Sequence, residues 1–155
     1  MNKIGLNNQY ASTLSGSLNE LLANYQVFYM NTRGFHWNIK GEKFFELHLK
    51  FEELYNSLLL KVDEIAERIL TLGHTPVHSF SEYLNVSQIK EARNISDGRL
   101  AVKSILESFE TILILQRNIL SAASVAADEG SLSMMSDYIR EQEKLVWMYQ
   151  AFLGE

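Results

Sequence analysis

The sequence predicts an all-α fold built from four long helices. Apolar residues make up 46% of the 155 residues, which is enough for a buried core, and strong helix formers such as Leu, Ile, Glu and Lys are frequent. Chain breakers are few, because Pro76 is the single proline and the eight glycines are thinly spread. We therefore expect a single domain over residues 1–155, with a short N-terminal tail at 1–9.

Helical periodicity defines the first two helices. Apolar residues recur at steps of three and four and predict a helix over about 10–37. A break follows at Gly41, and a second helix with the same period begins near Glu42. It ends at the LGHTP segment, where Gly73 suits the C′ position and Pro76 prevents continuation.

A long connection separates the second helix from the third. Residues 75–96 are too many for a tight hairpin, and SEYLNVSQIKEA within them predicts one short helix with Ser87 as a candidate cap. The third long helix is expected over 98–127, and the fourth over about 132–153, after the DEGS break. This arrangement is typical of a ferritin-like four-helix bundle with a short helix in the connection.

Composition excludes several classes of function. Without cysteine, the chain has no disulfide and no thiol chemistry, which fits a reducing compartment. The net charge of −5 argues against nucleic acid as an obvious partner. The most apolar stretch carries Glu107, Glu110 and Arg117, so it predicts a core helix and not a membrane span. We expect a cytoplasmic protein with no membrane partner.

Candidate metal ligands occur in pairs on the second helix. His48 and Glu52 are four residues apart, as are Asp63 and Glu67, so each pair shares a helix face. The step from Glu52 to Asp63 is eleven residues, or about 16 Å of helix, whereas a metal–ligand bond is about 2 Å. Either the pairs are unrelated, or a second copy of the helix runs antiparallel and brings the late pair of one chain to the early pair of the other.

His36, at the end of the first helix, completes the set in the second case. Two imidazoles and three carboxylates would suit iron. A site inside one bundle is disfavoured, because the chain has no Glu-x-x-His motif and its last two long helices contain no histidine. Taken singly, each candidate is an ordinary polar residue. His74 and His78 flank a proline in a loop, so we interpret them as surface residues.

A wider pattern surrounds the candidate ligands. It comprises HWN at 36–38, Gly41, Phe44, LH at 47–48, Glu52, Tyr55, Asp63, AER at 66–68 and the following LGHTP. This pattern resembles the signature of the Dps family, the DNA-protection-during-starvation proteins or mini-ferritins. The closing WMYQAFLG resembles the C-terminal helix of that family, so the resemblance covers nearly the whole chain.

The resemblance implies a hollow homododecamer with ferroxidase sites shared across two-fold interfaces. One subunit would supply His36, His48 and Glu52, and the partner's Asp63 and the partner's Glu67 would complete a site for two iron ions. Other divalent metals could occupy the same ligands. The implied activity is oxidation of Fe(II) by hydrogen peroxide or dioxygen, with ferric mineral stored in the cavity and protection against oxidative stress.

Further features of the family concern the pore and a tryptophan. Trp37 resembles a family tryptophan near the site that can absorb stray oxidising equivalents, although packing is its plainer role. Relatives line a three-fold pore with acids near the start of the last helix. Asp128, Glu129 and Asp137 are the candidates here to attract Fe(II).

Two alternatives carry different functions. One is a DNA-compacting shell whose iron chemistry is secondary. Many relatives bind DNA through a lysine-rich N-terminal tail. Residues 1–12 here contain one basic residue, Lys3, whereas binding through counterion release needs several phosphate contacts. DNA binding through the tail is therefore not expected. The other alternative is a helical oligomer that has lost catalysis, which nothing in the sequence favours, because all five ligand positions are filled.

Overall fold

The computed structural model describes residues 1–155 as five helices without strands. In chain order they are α1 (Asn8–Asn38), α2 (Phe44–Thr71), α3 (Phe80–Val86), α4 (Gly98–Val125) and α5 (Glu129–Leu153). The long helices pack mainly as the pairs α1–α2 and α4–α5, α1 also contacts α4, and α3 lies against α1. The predicted all-α bundle with a short helix in its long connection is confirmed.

Ser87 does not begin the short helix, as the cap prediction required, but is its C-cap residue, whose amide donates to the Tyr83 carbonyl. Ser79 caps α3, because its hydroxyl accepts a hydrogen bond from the Glu82 amide. Ser87 instead follows the last residue of α3 and is buried. Its hydroxyl contacts Asn24 Oδ1 at 3.2 Å and donates to the Ile89 carbonyl at 2.8 Å. Ser87 therefore anchors the connection to α1 and does not begin a helix.

Two buried asparagines hold the connection along α1. Asn24 Oδ1 accepts hydrogen bonds from the amides of Gln88 and Ile89. About two helical turns further along α1, Asn31 Oδ1 accepts from the Ala92 amide, and its Nδ2 donates to the Lys90 carbonyl. Because these bonds satisfy backbone groups that helix and sheet do not, the connection has one defined path across α1.

The centre of the bundle is closed by a ring of three polar side chains. Tyr25 Oη donates to Gln116 Oε1 at 2.5 Å, Gln116 Nε2 donates to Gln142 Oε1 at 2.7 Å, and Gln142 Nε2 donates back to Tyr25 Oη at 2.7 Å. All three residues are buried among 33 apolar core residues. The ring offers amides and a phenol but no carboxylate or imidazole, so this position is poorly suited to iron.

None of the five helices combines the length and the apolar character that crossing a lipid bilayer requires.

Candidate metal centre

His36 and His48 come together where α1 ends and α2 begins. Their rings stack with centroids 3.8 Å apart and an angle of 10° between planes. His36 Nδ1 lies 2.6 Å from the His48 carbonyl oxygen, and His48 Nδ1 lies 2.7 Å from the His36 carbonyl oxygen. The His36 carbonyl lies in the last turn of α1, where helix carbonyls lack intrahelical partners. The two histidines thus exchange reciprocal hydrogen bonds.

These bonds set the chemistry of both rings. A carbonyl oxygen can only accept, so each Nδ1 must carry a hydrogen. In the neutral rings, Nε2 is then the nitrogen with a free lone pair. An Nδ1–H bonded to a carbonyl is the usual outer-shell arrangement for a metal-binding histidine. The local geometry therefore prepares two imidazoles that can donate through Nε2.

Aromatic rings enclose the histidine pair on both sides. Phe44 stacks on His48 with centroids 5.0 Å apart, and Tyr55 approaches His36 edge-on at 5.3 Å. His36 is only 8% exposed, whereas His48 is partly buried. The rings are thereby held in one orientation, because neither imidazole can rotate without displacing a neighbouring ring.

The carboxylate candidates do not join the histidines within one chain. Glu52 follows His48 by one turn and is partly buried, whereas Asp63 and Glu67 are exposed further along α2. None of these three carboxylates forms an ion pair in the chain. No three histidine, aspartate or glutamate side chains lie close enough together to hold a metal ion. One chain therefore presents an incomplete set of ligands.

The carboxylates lie on a continuous stripe of α2 that the chain leaves uncovered. Its positions follow one another at steps of three and four residues and are apolar or acidic, apart from the exposed Asn56 between Glu52 and Leu59. Its large apolar members are Phe45 (80% exposed), Leu49 (56%), Leu59 (46%) and Leu70 (58%). Glu52, Asp63 and Glu67 lie between them. Exposed apolar side chains in such a row are typical of a contact surface, and a seven-residue period suits a second helix.

Arg33 is a residue of this region that the sequence patterns did not single out. It precedes His36 by one turn of α1, and its Nη1 donates to Tyr29 Oη at 2.8 Å. Its guanidinium lies 4.9 Å from the ring centroid of Trp37 and 5.6 Å from that of Tyr55. The only available sequence signal was a cation three residues before a candidate ligand on one helix.

Trp37 itself is 57% exposed at the end of α1. Its position beside His36 agrees with the predicted place near the site. The Arg33 guanidinium over its ring disfavours positive charge on the indole. The role of Trp37 in absorbing oxidising equivalents stays a prediction.

The three candidate pore acids differ in their surroundings. Asp128 is 2% exposed, caps α5 by accepting from the Ser131 amide, and pairs with Arg68 at 2.5 Å. This capping starts α5 three residues before the predicted position 132, and Arg68 of α2 forms the ion pair that holds the capping residue in place. Because its buried Oδ1 accepts from both Arg68 and the Ser131 amide, Asp128 has a structural role. Glu129 and Asp137 are exposed, and their pore role stays a prediction.

Comparison with known proteins decides the family. A family model described as a ferritin-like domain matches residues 16–155. The chain is 42% identical over 148 residues to the DNA protection during starvation protein of Porphyromonas gingivalis, covering 96% of this chain and 93% of that protein. The chain belongs to the Dps family of ferritin-like proteins.

Solved structures agree with this assignment of the Dps chain. The crystal structure of the Dps protein from Vibrio cholerae O1 matches with a TM-score of 0.97 and 57% identity, covering 99% of this chain and 96% of that one. That protein is described as a member of a broad superfamily of ferritin-like diiron-carboxylate proteins. Dps from Staphylococcus aureus matches with a TM-score of 0.87 and 37% identity, covering 90% and 94%. The Dps resemblance inferred from the ligand pattern is therefore confirmed.

Proposed function

We propose that this Dps chain oxidises Fe(II) with hydrogen peroxide, or with dioxygen, and stores the ferric product. The sites would be shared between two copies across a two-fold axis of a cytoplasmic dodecamer. The observation that carries this proposal is the histidine pair, whose reciprocal Nδ1 bonds leave two Nε2 atoms available beside an incomplete set of carboxylates.

The missing ligands are best supplied by a second copy. Asp63 lies about 16 Å along α2 from Glu52, so it cannot reach a metal ion held near its own chain's His48. Two antiparallel copies of α2 would place the partner's Asp63 and the partner's Glu67 opposite His48 and Glu52. The exposed leucines beside these carboxylates support the pairing, because a second helix would bury them.

Two imidazoles and three carboxylates could hold two Fe(II) ions as substrates. Each Fe(II) would give one electron to peroxide, so that 2 Fe(II), H₂O₂ and 2 H⁺ yield 2 Fe(III) and 2 H₂O. Holding two metal ions together makes the reduction of peroxide a two-electron event, and no hydroxyl radical is released. The residues of the chain would contribute position and negative charge, which favour Fe(III) over Fe(II). Protection against oxidative stress would follow from consuming both reactants.

Iron would reach the sites and the cavity through acidic openings in the assembly. Glu129 and Asp137 are exposed near the start of α5 and are the remaining acids proposed to attract Fe(II). Ferric product would leave the shared sites for the interior. Other divalent metals, zinc among them, would compete for the same imidazole and carboxylate ligands.

An anaerobic Fe(II) titration followed by a stoichiometric peroxide pulse tests the proposal. We expect rapid oxidation that saturates near two iron ions per subunit, in a particle of twelve chains by mass. The double variant His36→Ala/Asp63→Ala should lose most of the rate, measured at a protein concentration at which sedimentation shows the intact particle. His78→Ala is a matched control, because His78 is exposed in a loop and distant from the ligand pairs in sequence. Wild-type kinetics in the double variant would refute the site assignment.

A further inference from the structure

Arg33 carries hydrogen-bonding capacity that its own chain does not use. A guanidinium has five N–H donors, and of the Arg33 nitrogens only Nη1 has an acceptor, the hydroxyl of Tyr29. Arg33 Nε is buried without any hydrogen-bond partner. A buried N–H without an acceptor is unfavourable, and more so when the group is charged. This arrangement therefore indicates that an acceptor comes from outside the chain.

The chain also lacks a counter-ion for Arg33. Its five ion pairs involve other residues, and the groups around the guanidinium are the rings of Tyr29, Trp37 and Tyr55. These rings hold the guanidinium in place through cation–π contacts without neutralising it. A charge fixed in this way is preorganised to bind a carboxylate, which matches the planar fork of arginine.

Carboxylates without partners occur on the uncovered stripe of α2. Arg33 contacts Tyr55, and Asp63 is eight residues further along the same helix, which is about 12 Å. Asp63 of the same chain is therefore out of reach of Arg33. The two groups complement each other in charge: Arg33, near the end of α1 beside His36, is an unpaired cation, and Asp63 on the stripe is an unpaired anion.

We propose that Arg33 pairs with the partner's Asp63 across the two-fold interface. This inference rests on the proposed shared site, because the same antiparallel pairing that brings the partner's Asp63 to His36 also brings it to a guanidinium one turn away on α1. Before metal enters, each shared site gathers three carboxylates, and Arg33 supplies the positive charge that offsets part of their repulsion. Arg33 is thus a positioning residue that orients one ligand for the metal.

The test is a double-mutant cycle on the association of the metal-free full chain. The variants are Arg33→Gln, Asp63→Asn and both together, and the midpoint concentration of assembly is measured by sedimentation after chelator treatment. Removing one member of a desolvated charge pair should raise that midpoint by about thirtyfold or more. The double variant should associate no more weakly than either single variant, because the pair is lost only once.

Arg93→Gln is the matched control. Arg93 and Arg33 line one groove beside α1, but Arg93 is exposed. We expect its midpoint to stay within about threefold of the wild type. Adding Zn(II), a redox-inert probe, should restore the Arg33→Gln assembly, because the bound cation would supply the positive charge that the variant lacks. Additive effects in the cycle, or an Arg33→Gln variant that behaves like Arg93→Gln, would overturn the pairing.

Two further outcomes separate this inference from the proposed function. A metal-free wild type that stays monomeric at every accessible concentration overturns the shared site and the pairing together. An assembled protein with no coupling between Arg33 and Asp63 overturns the pairing alone. Circular dichroism checks that each variant keeps its helices. If Arg33→Gln loses them, Arg33→Met completes the same cycle, because methionine keeps an unbranched side chain and removes the charge.

Discussion

Replacement of Tyr25 by phenylalanine tests how the bundle centre is stabilised. The substitution removes one oxygen atom and leaves the aromatic ring, which packs against Tyr138 with centroids 6.3 Å apart. Gln116 Oε1 loses the donor at 2.5 Å, and Gln142 Nε2 loses the acceptor at 2.7 Å. The two glutamines keep their mutual bond at 2.7 Å. The ring of three bonds is therefore opened without creating a large cavity.

The expected loss of stability follows from the burial of these groups. Tyr25 and Gln116 are 0% exposed and Gln142 is 1% exposed, so water cannot replace the lost bonds in the native state. Each buried polar group left without a partner costs about 1–3 kcal/mol. Because the glutamine–glutamine bond survives, we expect a net loss of about 2–4 kcal/mol. For a chain of this size that lowers Tm by roughly 5–15 °C.

Thermal and urea unfolding at one fixed protein concentration measure this loss, because assembly also contributes to apparent stability. Tyr10→Phe is the control, since Tyr10 is exposed near the start of α1. Replacing the whole ring by Tyr25→Phe, Gln116→Leu and Gln142→Leu should recover part of the loss, because no polar group then stays unpaired. A Tyr25→Phe variant within about 0.5 kcal/mol of wild type would refute the reasoning.

Three further outcomes are expected. Burial raises the pKa of Tyr25, Tyr138 and Tyr149 in the folded chain, so the unfolded chain loses these protons first as pH rises through about 10, and urea midpoints should fall above that pH. The Tyr149 hydroxyl has no hydrogen-bond partner, so Tyr149→Phe should reduce this pH dependence by about a third without loss of stability at neutral pH. Arg68→Met should lower the free energy of unfolding in urea by about 3 kcal/mol or more, because it leaves the buried Asp128 carboxylate without a counter-ion. The double variant Arg68→Met/Asp128→Asn should recover much of that loss, and a loss equal to that of Arg68→Met would contradict the ion pair. Purified assembly should not retard DNA in gels at low salt, and salt-sensitive retardation would mean that a surface other than the tail binds DNA.

Local sequence patterns determined the helices and the candidate ligands. The period of apolar residues located the four long helices, because one helix face must be buried whatever it packs against. The i,i+4 spacing placed His48 with Glu52 and Asp63 with Glu67, because α-helix geometry fixes which residues share a face. The rise per residue alone then showed that the two pairs cannot serve one metal ion in a single chain.

Only the tertiary structure decided contacts between distant residues. The reciprocal bonds of His36 and His48 join two helices through backbone carbonyls, and Asp128, which caps the start of α5, pairs with Arg68 of α2. The absence of a counter-ion for Arg33 likewise depends on what packs around it. The period of apolar residues along a helix does not depend on how that helix packs against another one. The docking itself determines which polar atoms meet across an interface and which of them are left to find a partner in a second copy.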